Sequence, residues 1–448
     1  MSTATFDNFQ GPSNRPANFP FGITLNAGYT SVINNIGIAG GQGFGVGICP
    51  GPLPSGMAAL GGTTDPSSDN YGNYQYSDGS TMVWIPAFYY KVGTGSNGLT
   101  LNKFDIKPFS TYADVATANA AGYALHRAFY DGGAIQYGVF VDKYIASNNG
   151  GIASSLKNGV VLASAQRGSI ATTAYATLTG APANNLGGSQ AAAKTRGSNF
   201  FCNTRFIFAA LAMLSVAHGQ SATATTWCGW YDASGVKNFP KGCNNNALGD
   251  AQDSAILYVD DGTATNCAKT GSANLFNRTT HNGQNSGIAD LNGLLYETTF
   301  GLTSDGTNYY LLNTAKAMKN LTGGSGAATD LFGAAGLAAN YTSIGGTYGA
   351  MTNSAGWKYF GSAAQVMSEA TSGTAWAVTG LGIPLATGVG GTNLFGNDGL
   401  YDSRPNELAP ASGGNWGDSS SAGVWYVGLV HSRAGSYASI GFRSALYL

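Results

Sequence analysis

The chain has 448 residues, of which 67 are glycine and 10% are charged, and its net charge is -1 at pH 7. A typical soluble domain carries about 25% charged residues. This composition therefore disfavours a helical cytosolic enzyme and favours a loop-rich extracellular or virion protein. The near-zero net charge, with scattered Lys and Arg, argues against a nucleic-acid partner, and 12% aromatic residues supply a core that a disordered chain lacks.

The first part of the chain predicts an arm followed by strands. Residues 1–75 are rich in Gly, Pro, Asn and Ser, which predicts an extended attachment and assembly arm that packs on the main domain or on other copies. The stretch 82–93, "MVWIPAFYYKVG", predicts a strand from its aromatic and β-branched residues. Apolar residues at helical spacing predict a helix over 111–130, closed by Gly132 and Gly133, and 137–148 predicts another strand.

Two more helices and many short strands are predicted further along. Residues 188–197 predict a second helix, and Asn203 is the predicted N-cap of a third helix that ends at Gly219. Because this third helix is apolar almost all round, we expect it at the centre of the core. Long loops follow, with an insertion over about 303–396, and 440–448 predicts a buried closing strand. The pattern is typical of an α+β fold.

The sequence carries no clear signal for a membrane span, a zinc site or a secretory signal peptide. The longest apolar run, 206–217, is shorter than the roughly 20 residues that a membrane span needs, so membrane insertion is not predicted. The five cysteines form no Cys-x-x-Cys pair, which argues against a zinc ribbon. Residues 1–20 lack the basic start and apolar core of a signal peptide. An exposed-surface composition without such a signal suits a particle released by lysis, such as a phage.

Several segments, in order, resemble one known family. The strand "YGVFVDKYIASN" (137–148), the two later helices, the turn "GIADLNGLLYE" (287–297) and the closing strand "IGFRSALYL" (440–448) are similar to formylglycine-generating-enzyme-like domains. The resemblance covers about 82–448 and is interrupted over 303–396. It implies a C-type lectin-like domain, here placed over 76–448 and loop-rich.

A narrower subgroup fits better. The stretch 413–446 resembles the C-terminal variable region of proteins diversified by retroelements, especially phage receptor-binding proteins. The stretches 124–144, 239–250 and 280–293 are also similar to that phage subgroup. In such proteins, adenines of asparagine codons are randomised, so that a constant frame carries exchangeable surface residues. The resemblance implies a homotrimer on a phage tail fibre or tip.

The resemblance also assigns the site residues, within a variable ligand-binding region of about 399–446. The expected frame includes Trp416, Trp425 and Phe442, which supply rigid burial. The expected ligand-binding positions have no shared chemistry; they are Gly417, Asp418, Gly428, Val430, His431, Gly435, Tyr437, Ala438 and Ser439, together with Tyr426, Tyr401, Asp402, Ser403 and Arg404. A rigid frame with short, adaptable side chains is how antibody loops bind their targets.

The residues give less support to an enzymatic function. Enzymatic relatives hold copper with two cysteines near the C-terminus, whereas every cysteine here lies at or before Cys267, and soft thiolates are the ligands of Cu(I). His126, His218 and His281 are expected to be structural, and His431 to contact a ligand. No GxSxG, HExxH or P-loop motif occurs. We therefore predict a non-enzymatic protein with no catalytic residue.

Calcium stays an open alternative, although no cofactor and no metal ligand are predicted. Lectin-like relatives use turn carboxylates and backbone oxygens, which suit a hard cation. In 287–297 the residue after the second glycine is Leu294, where the family commonly has asparagine. Asp290 and Glu297 are therefore expected to pin the turn. "NDGLYD" (397–402) is a second, weaker candidate.

The resulting functional prediction is a phage tail-fibre receptor-binding protein, located on the virion and extracellular on release. Its hypervariable C-terminal surface would bind a host-cell surface receptor, protein or glycan, and its other partners would be phage tail and fibre proteins. Two alternatives stay open. One is a structural virion or cell-surface display protein with an adhesive variable surface. The other is a degenerate formylglycine-generating-enzyme-like protein.

Overall fold

The computed structural model describes residues 23–25, 29–31, 35–233, 239–361, 364–387 and 393–448. Its helices are α1 (Val115–Ala120), α2 (Ser189–Ala193), α3 (Arg205–Ser221), α4 (Gly333–Asn340) and α5 (Gly373–Gly380). Its strands are β1 (Ile23–Leu25), β2 (Tyr29–Ser31), β3 (Met57–Ala59), β4 (Asn73–Tyr76), β5 (Thr81–Pro86), β6 (Phe88–Val92), β7 (Phe104–Pro108), β8 (Ala124–Leu125), β9 (Tyr130–Asp131), β10 (Ala134–Ile135), β11 (Gly138–Asp142), β12 (Ser147–Asn149), β13 (Ile152–Ser154), β14 (Phe201–Cys202), β15 (Tyr296–Thr298), β16 (Leu302–Ser304), β17 (Tyr309–Leu312), β18 (Thr322–Ser325), β19 (Asp330–Phe332), β20 (Tyr341–Gly345), β21 (Trp357–Tyr359), β22 (Gly399–Asp402), β23 (Ala411–Ser412), β24 (Val427–Leu429), β25 (Ile440–Gly441) and β26 (Ser444–Leu446).

Two six-stranded sheets organise this mixed α and β fold. The first, called here the central sheet, has the order β14-β26-β11-β5-β4-β3, and all its neighbours are antiparallel. The second, called here the outer sheet, has the order β21-β22-β24-β23-β15-β25 and is mixed, because the pairs β22–β24 and β15–β25 are parallel. The short segment between β25 and β26 crosses from the outer sheet to the central sheet.

Helix α3 lies in the main hydrophobic core, as its apolar sequence predicts. Every residue from Arg205 to Gly219 is buried. The N-cap is Thr204, whose Oγ1 accepts a hydrogen bond from the backbone N–H of Ile207 at 3.2 Å. The predicted cap, Asn203, is wrong by one residue, because its side chain instead accepts from Thr204 N. The helix also continues two residues past Gly219. It is not a candidate for crossing a membrane, and neither is any other helix among the described residues.

The strands over 82–93 and 137–148 and the helix over 188–197 are confirmed, whereas the helix over 111–130 is mostly wrong. Only α1 forms there. Asp114 caps it by accepting from Thr117 N at 2.7 Å, and Gly122 with φ +78° follows its end. The next apolar residues form β8, which pairs with β6. Their apolar spacing therefore serves a strand in the core rather than a helix face.

The structure describes the second half of the predicted arm and most of the predicted insertion. Over residues 35–75, β3 and β4 extend the central sheet, and Ile36, Phe44 and Val46 are fully buried in the main core. This part of the arm therefore packs as a portion of the domain, while most of residues 1–34 lie outside the described residues. The region 303–396 is not only loops, since it contributes β17, α4, α5 and several buried apolar side chains.

Candidate functional site

Most of the predicted ligand-binding positions lie on or beside the outer sheet or in the loop that follows β24, whereas Gly417 and Asp418 lie in the segment between β23 and β24. Cross-strand pairing aligns Trp357 with Tyr401, Tyr401 with Gly428, and Gly428 with Ala411. Because paired residues point to the same face of a sheet, these positions form one row across four strands. The segment after β24, residues 430–439 and called here the β24–β25 loop, continues from the same region.

The frame beneath this surface is rigid. Trp425 is fully buried, and its ring packs within 5.2 Å of Phe395 and 5.8 Å of Phe360. Its backbone N–H donates to Asp398, which also forms a buried ion pair with Lys241 at 2.7 Å. Gly413 has φ +89°, and a Cβ there would lie 2.1 Å from the carbonyl of Leu291. Only glycine fits that position.

The backbone of the β24–β25 loop is held by hydrogen bonds from distant segments. Five backbone donors reach it from outside, at 2.9 to 3.2 Å: Ala409 N to His431 O, Gly187 N to Arg433 O, Leu186 N to Gly435 O, Ala165 N to Tyr437 O, and Tyr296 N to Ser439 O. Ser164 adds a reciprocal pair with the N–H and C=O of Tyr437. Since these bonds involve only the loop backbone, they do not depend on which side chains the loop carries.

Several predicted positions carry side chains that the fold does not use for hydrogen bonding. Within the described residues, no hydrogen bond involves the side chains of Val430, His431, Tyr437, Ala438 or Ser439. All of them are half-buried at the surface. Tyr401, Ser403 and Gly435 are half-buried too, and Gly417 is exposed. These positions can therefore change without breaking polar contacts.

Other predicted positions are tied into the fold. Asp402 is fully buried and accepts from Tyr309, from the backbone N–H groups of Thr352 and Asn353, and from Lys358. Arg404 donates to the carbonyls of Gly306 and Gly346.

Asp418 and Tyr426 are also held by contacts within the fold. Asp418 accepts from the Tyr296 hydroxyl at 2.8 Å and from Asn415 N at 2.7 Å. Tyr426 is 5% exposed, and its ring lies beside Gly428, where a Cβ would come within 3.4 Å of the Tyr426 hydroxyl. Asp402, Arg404, Asp418 and Tyr426 therefore serve the frame, and free exchange at these positions would cost stability.

Aromatic rings connect the outer sheet to the β24–β25 loop. Ring contacts run from Trp357 to Tyr426 (5.4 Å), from Tyr426 to the stacked Tyr296 (5.2 Å), and on to His431 (6.4 Å) and Tyr437 (4.6 Å from His431). We call this set the aromatic row; with the flanking rings its members are Tyr359, Trp357, Tyr401, Tyr426, Tyr296, His431 and Tyr437. Aromatic side chains provide large, rigid contact area at low entropic cost.

Three members of the aromatic row are not among the ligand-binding positions that the sequence predicts. Tyr296 immediately precedes Glu297 in the turn over 287–297, but nothing in that motif marks it as a surface residue. Trp357 and Tyr359 lie in the stretch that predicts an insertion with few signals. Their alternation in "WKY" is the one usable sign, because it places both rings on the same face of a strand.

Two titratable members of the row, His431 and Tyr296, are uncharged at neutral pH. Burial lowers the pKa of His431 from 6.5 to about 4. Burial, together with Tyr426 and Asp418, raises the pKa of Tyr296 far above 10. His431 and Tyr296 therefore present neutral rings, and a ligand would meet these two without a proton transfer.

The remaining histidines hold backbone in the core. His281 is fully buried; its Nδ1 accepts from Ile288 N and its Nε2 donates to Gly45 O, both at 3.0 Å. His218 similarly joins Gly40 N to Trp227 O. His126 accepts from Ala128 N and caps a short turn rather than lying in a helix. Burial lowers the pKa of all three, to about 3 for His126 and about 4 for the other two.

The carboxylates considered for calcium have internal partners. Both oxygens of Glu297 contact the Arg443 guanidinium at 2.8 to 3.2 Å. Asp290 accepts from Gly271 N at 2.6 Å with its Oδ2. In 397–402, Asp398 and Asp402 accept from lysines and backbone N–H groups. Among the described residues, His, Cys, Asp and Glu side chains form no group of three or more that could hold a metal. All five cysteines are buried thiols.

Comparison with known proteins gives one set of similar structures. No protein-family model matches the chain, and no curated protein matches it. Solved structures that it is similar to include "Major Tropism Determinant U1 Variant", at 11% identity, and "Major Tropism Determinant I1 Variant", at 12% identity. Each match covers 90% of this chain and 74% of the other chain, with a TM-score of 0.29. A TM-score this low supports no conclusion on fold or function.

Proposed function

We propose that this chain is a non-enzymatic receptor-binding protein of a phage tail fibre or tip, diversified by a retroelement. Its domain would have a C-type lectin-like fold, and its C-terminal surface would bind a ligand on the host cell. One observation supports the proposal most strongly. The β24–β25 loop is anchored through its backbone, while the polar side chains of His431 and Tyr437 form no hydrogen bond among the described residues and those of Val430 and Ala438 are apolar.

This arrangement suits a binding surface whose residues are exchanged. Stability then comes from the frame, and specificity comes from the surface side chains. The resemblance of 413–446 to retroelement-diversified proteins adds to this argument from the sequence. Affinity at a shallow surface is modest per copy, and several copies on one particle would raise it by avidity. The proposed homotrimer, with tail and fibre proteins as its partners, would supply such copies.

Cell binding tests the proposal directly. Labelled protein is incubated with a panel of bacterial strains and scored by flow cytometry, beside the variant Val430→Ser/His431→Asn/Tyr437→Ser/Ala438→Ser. We expect wild type to bind particular strains and the variant to lose or change that strain pattern. Its melting temperature should stay within about 4 °C of wild type, because surface substitutions outside specific contacts cost little.

The matched control removes exposed apolar surface elsewhere. Ile135 and Tyr137, near the hairpin of β9 and β10, are 39% and 50% exposed. The variant Ile135→Ser/Tyr137→Ser should bind the same strains as wild type. If the loop variant also keeps the wild-type strain pattern, or if wild type binds no strain, the proposal is wrong.

Diversification has its own test in the neighbouring DNA. We expect a second copy of the codons for 413–446 beside a reverse-transcriptase gene, with asparagine codons at the exchangeable positions. A fixed site would lack that copy.

A further inference from the structure

We propose that Trp357 and Tyr359 form a constant platform that binds a neutral pyranose ring of a host-cell glycan. The inference rests on the proposed receptor-binding function and assigns the chemical class of the ligand. Both residues lie outside the proposed variable region of 399–446, so every variant of the protein would carry them. We call the two rings the aromatic platform.

The ring of Trp357 packs against Gly399 of the outer sheet. A Cβ at Gly399, on the neighbouring strand β22, would lie 3.1 Å from Cε3 and 3.5 Å from Cζ3 of the indole. The six-membered ring therefore rests against the backbone at a position without a side chain. The side chain of Trp357 is among the exposed large apolar groups, at 41%.

The planes of the two platform rings are nearly parallel. Trp357 and Tyr359 alternate on edge strand β21, so both project from the same face. Their planes differ by 17° and their centroids are 6.3 Å apart. Tyr401 meets Trp357 at 79° and 5.6 Å, which places an upright wall beside the flat floor. Such a floor and wall fit a ring that offers one flat apolar face and polar groups at its edge.

A pyranose ring has that shape and chemistry. Its axial C–H bonds form an apolar face that stacks on an electron-rich aromatic face, while its hydroxyls need hydrogen-bond partners at the edge. The hydroxyl of Tyr401 and the indole N–H of Trp357 make no hydrogen bond within the described residues, so both are available to ligand hydroxyls.

The charge around the platform favours an uncharged ligand. Lys358 donates to Ala350 O, to Thr352 Oγ1 and to the buried Asp402 carboxylate. Arg404 donates to backbone carbonyls. Because these flanking charges are used inside the protein, none is left to pair with an acidic sugar or a charged peptide. The platform is also continuous with the aromatic row, so a glycan bound here would extend toward His431 and Tyr437.

The test uses the full chain, with lactose, maltose and chitobiose as soluble probes and an array of neutral oligosaccharides. Binding is followed by NMR of the tryptophan indole N–H signals, assigned with Trp357→Phe. We expect one probe or array ligand to shift the Trp357 signal, and Trp357→Ala to weaken that binding at least about tenfold. Trp227, which is 40% exposed, supplies the matched control, and Trp227→Ala should bind like wild type.

Two results would overturn the inference while the proposed function stands. One is sugar binding that Trp357→Ala leaves unchanged. The other is strain binding by wild type that survives periodate oxidation of the cells, disappears after protease treatment of the cells, and has no array ligand; the ligand is then a protein. Absence of binding to any strain would instead overturn the proposed function itself.

Discussion

Arg443 joins the two sheets through a single buried side chain. It is fully buried, pairs with Glu297 on outer strand β15, and donates to the carbonyls of Asp142 and Lys143 at the end of central strand β11. The guanidinium also reaches the turn carbonyl of Ala289. One cation therefore satisfies acceptors from both sheets and from the turn between them.

Removing this cation should be among the most damaging single changes in the chain. Arg443→Met leaves the Glu297 carboxylate buried without its partner, which costs about 3–5 kcal/mol. The free energy of unfolding, measured by urea denaturation, should fall by that amount. The double variant Arg443→Met/Glu297→Gln should recover part of the loss, since it no longer buries a charge.

An exposed ion pair provides the comparison. Lys107 and Asp105 are 3.2 Å apart with side chains 39% and 28% exposed. Lys107→Met should change the free energy of unfolding by less than about 1 kcal/mol. If Arg443→Met were equally mild, the cation would not join the sheets as described.

At the scale of elements, helix α3 depends on an N-cap that lies one residue after the predicted one. The Thr204 hydroxyl accepts from Ile207 N at the first turn of the helix. Thr204→Ala should lower the free energy of unfolding by about 1 kcal/mol. Thr204→Ser keeps the hydroxyl and should stay close to wild type in the same urea titration. Equal losses in the two variants would assign the effect to the methyl group instead of the cap.

The elements also show how far sequence reasoning reaches. Helix α3 is predictable because its apolar run is long enough for a buried helix, and strands β5, β6 and β11 because their runs are short and rich in aromatic and β-branched residues. The segment 111–130 misleads because the apolar residues Ala124 and Leu125 fit a helix face but pair with β6 in the structure. A local sequence pattern cannot show which distant strand a segment will pair with.

The candidate site could also be predicted from the sequence only in part. The loop positions Val430 to Ser439 follow from a resemblance in the sequence, and the structure places them at one surface. The structural duties of Asp402 and Asp418 could not be foreseen, because their partners Tyr309 and Tyr296 lie about a hundred residues away in sequence. Trp357 joins the surface only through cross-strand pairing with β22.

At the scale of the whole molecule, residues 35–75 belong to the fold despite their turn-rich composition. Phe44 is fully buried and stacks on His218 of α3 at 5.1 Å. Asn282 and His281 bond to the carbonyls of Phe44 and Gly45. The segment thus closes the core over the central helix, and its glycines allow the tight approach.

A pair of variants in this segment measures its contribution. Phe44→Ala should destabilise the protein by about 3–5 kcal/mol, as truncation of a buried aromatic side chain does. Ile38→Ala, six residues earlier and 82% exposed, should change stability by less than about 0.5 kcal/mol. Thermal unfolding of both variants beside wild type gives the answer, and comparable melting temperatures would mean that the segment is peripheral.

The position of β26 has a consequence for how the protein is made. This strand lies between β14 and β11 in the central sheet, yet the ribosome synthesises it after the β24–β25 loop. A frameshift or premature stop codon anywhere in the loop therefore removes both β26 and Arg443, and the truncated product cannot complete its sheet. Coding errors within the β24–β25 loop would therefore be eliminated during folding, and only chains translated in frame would yield the folded protein.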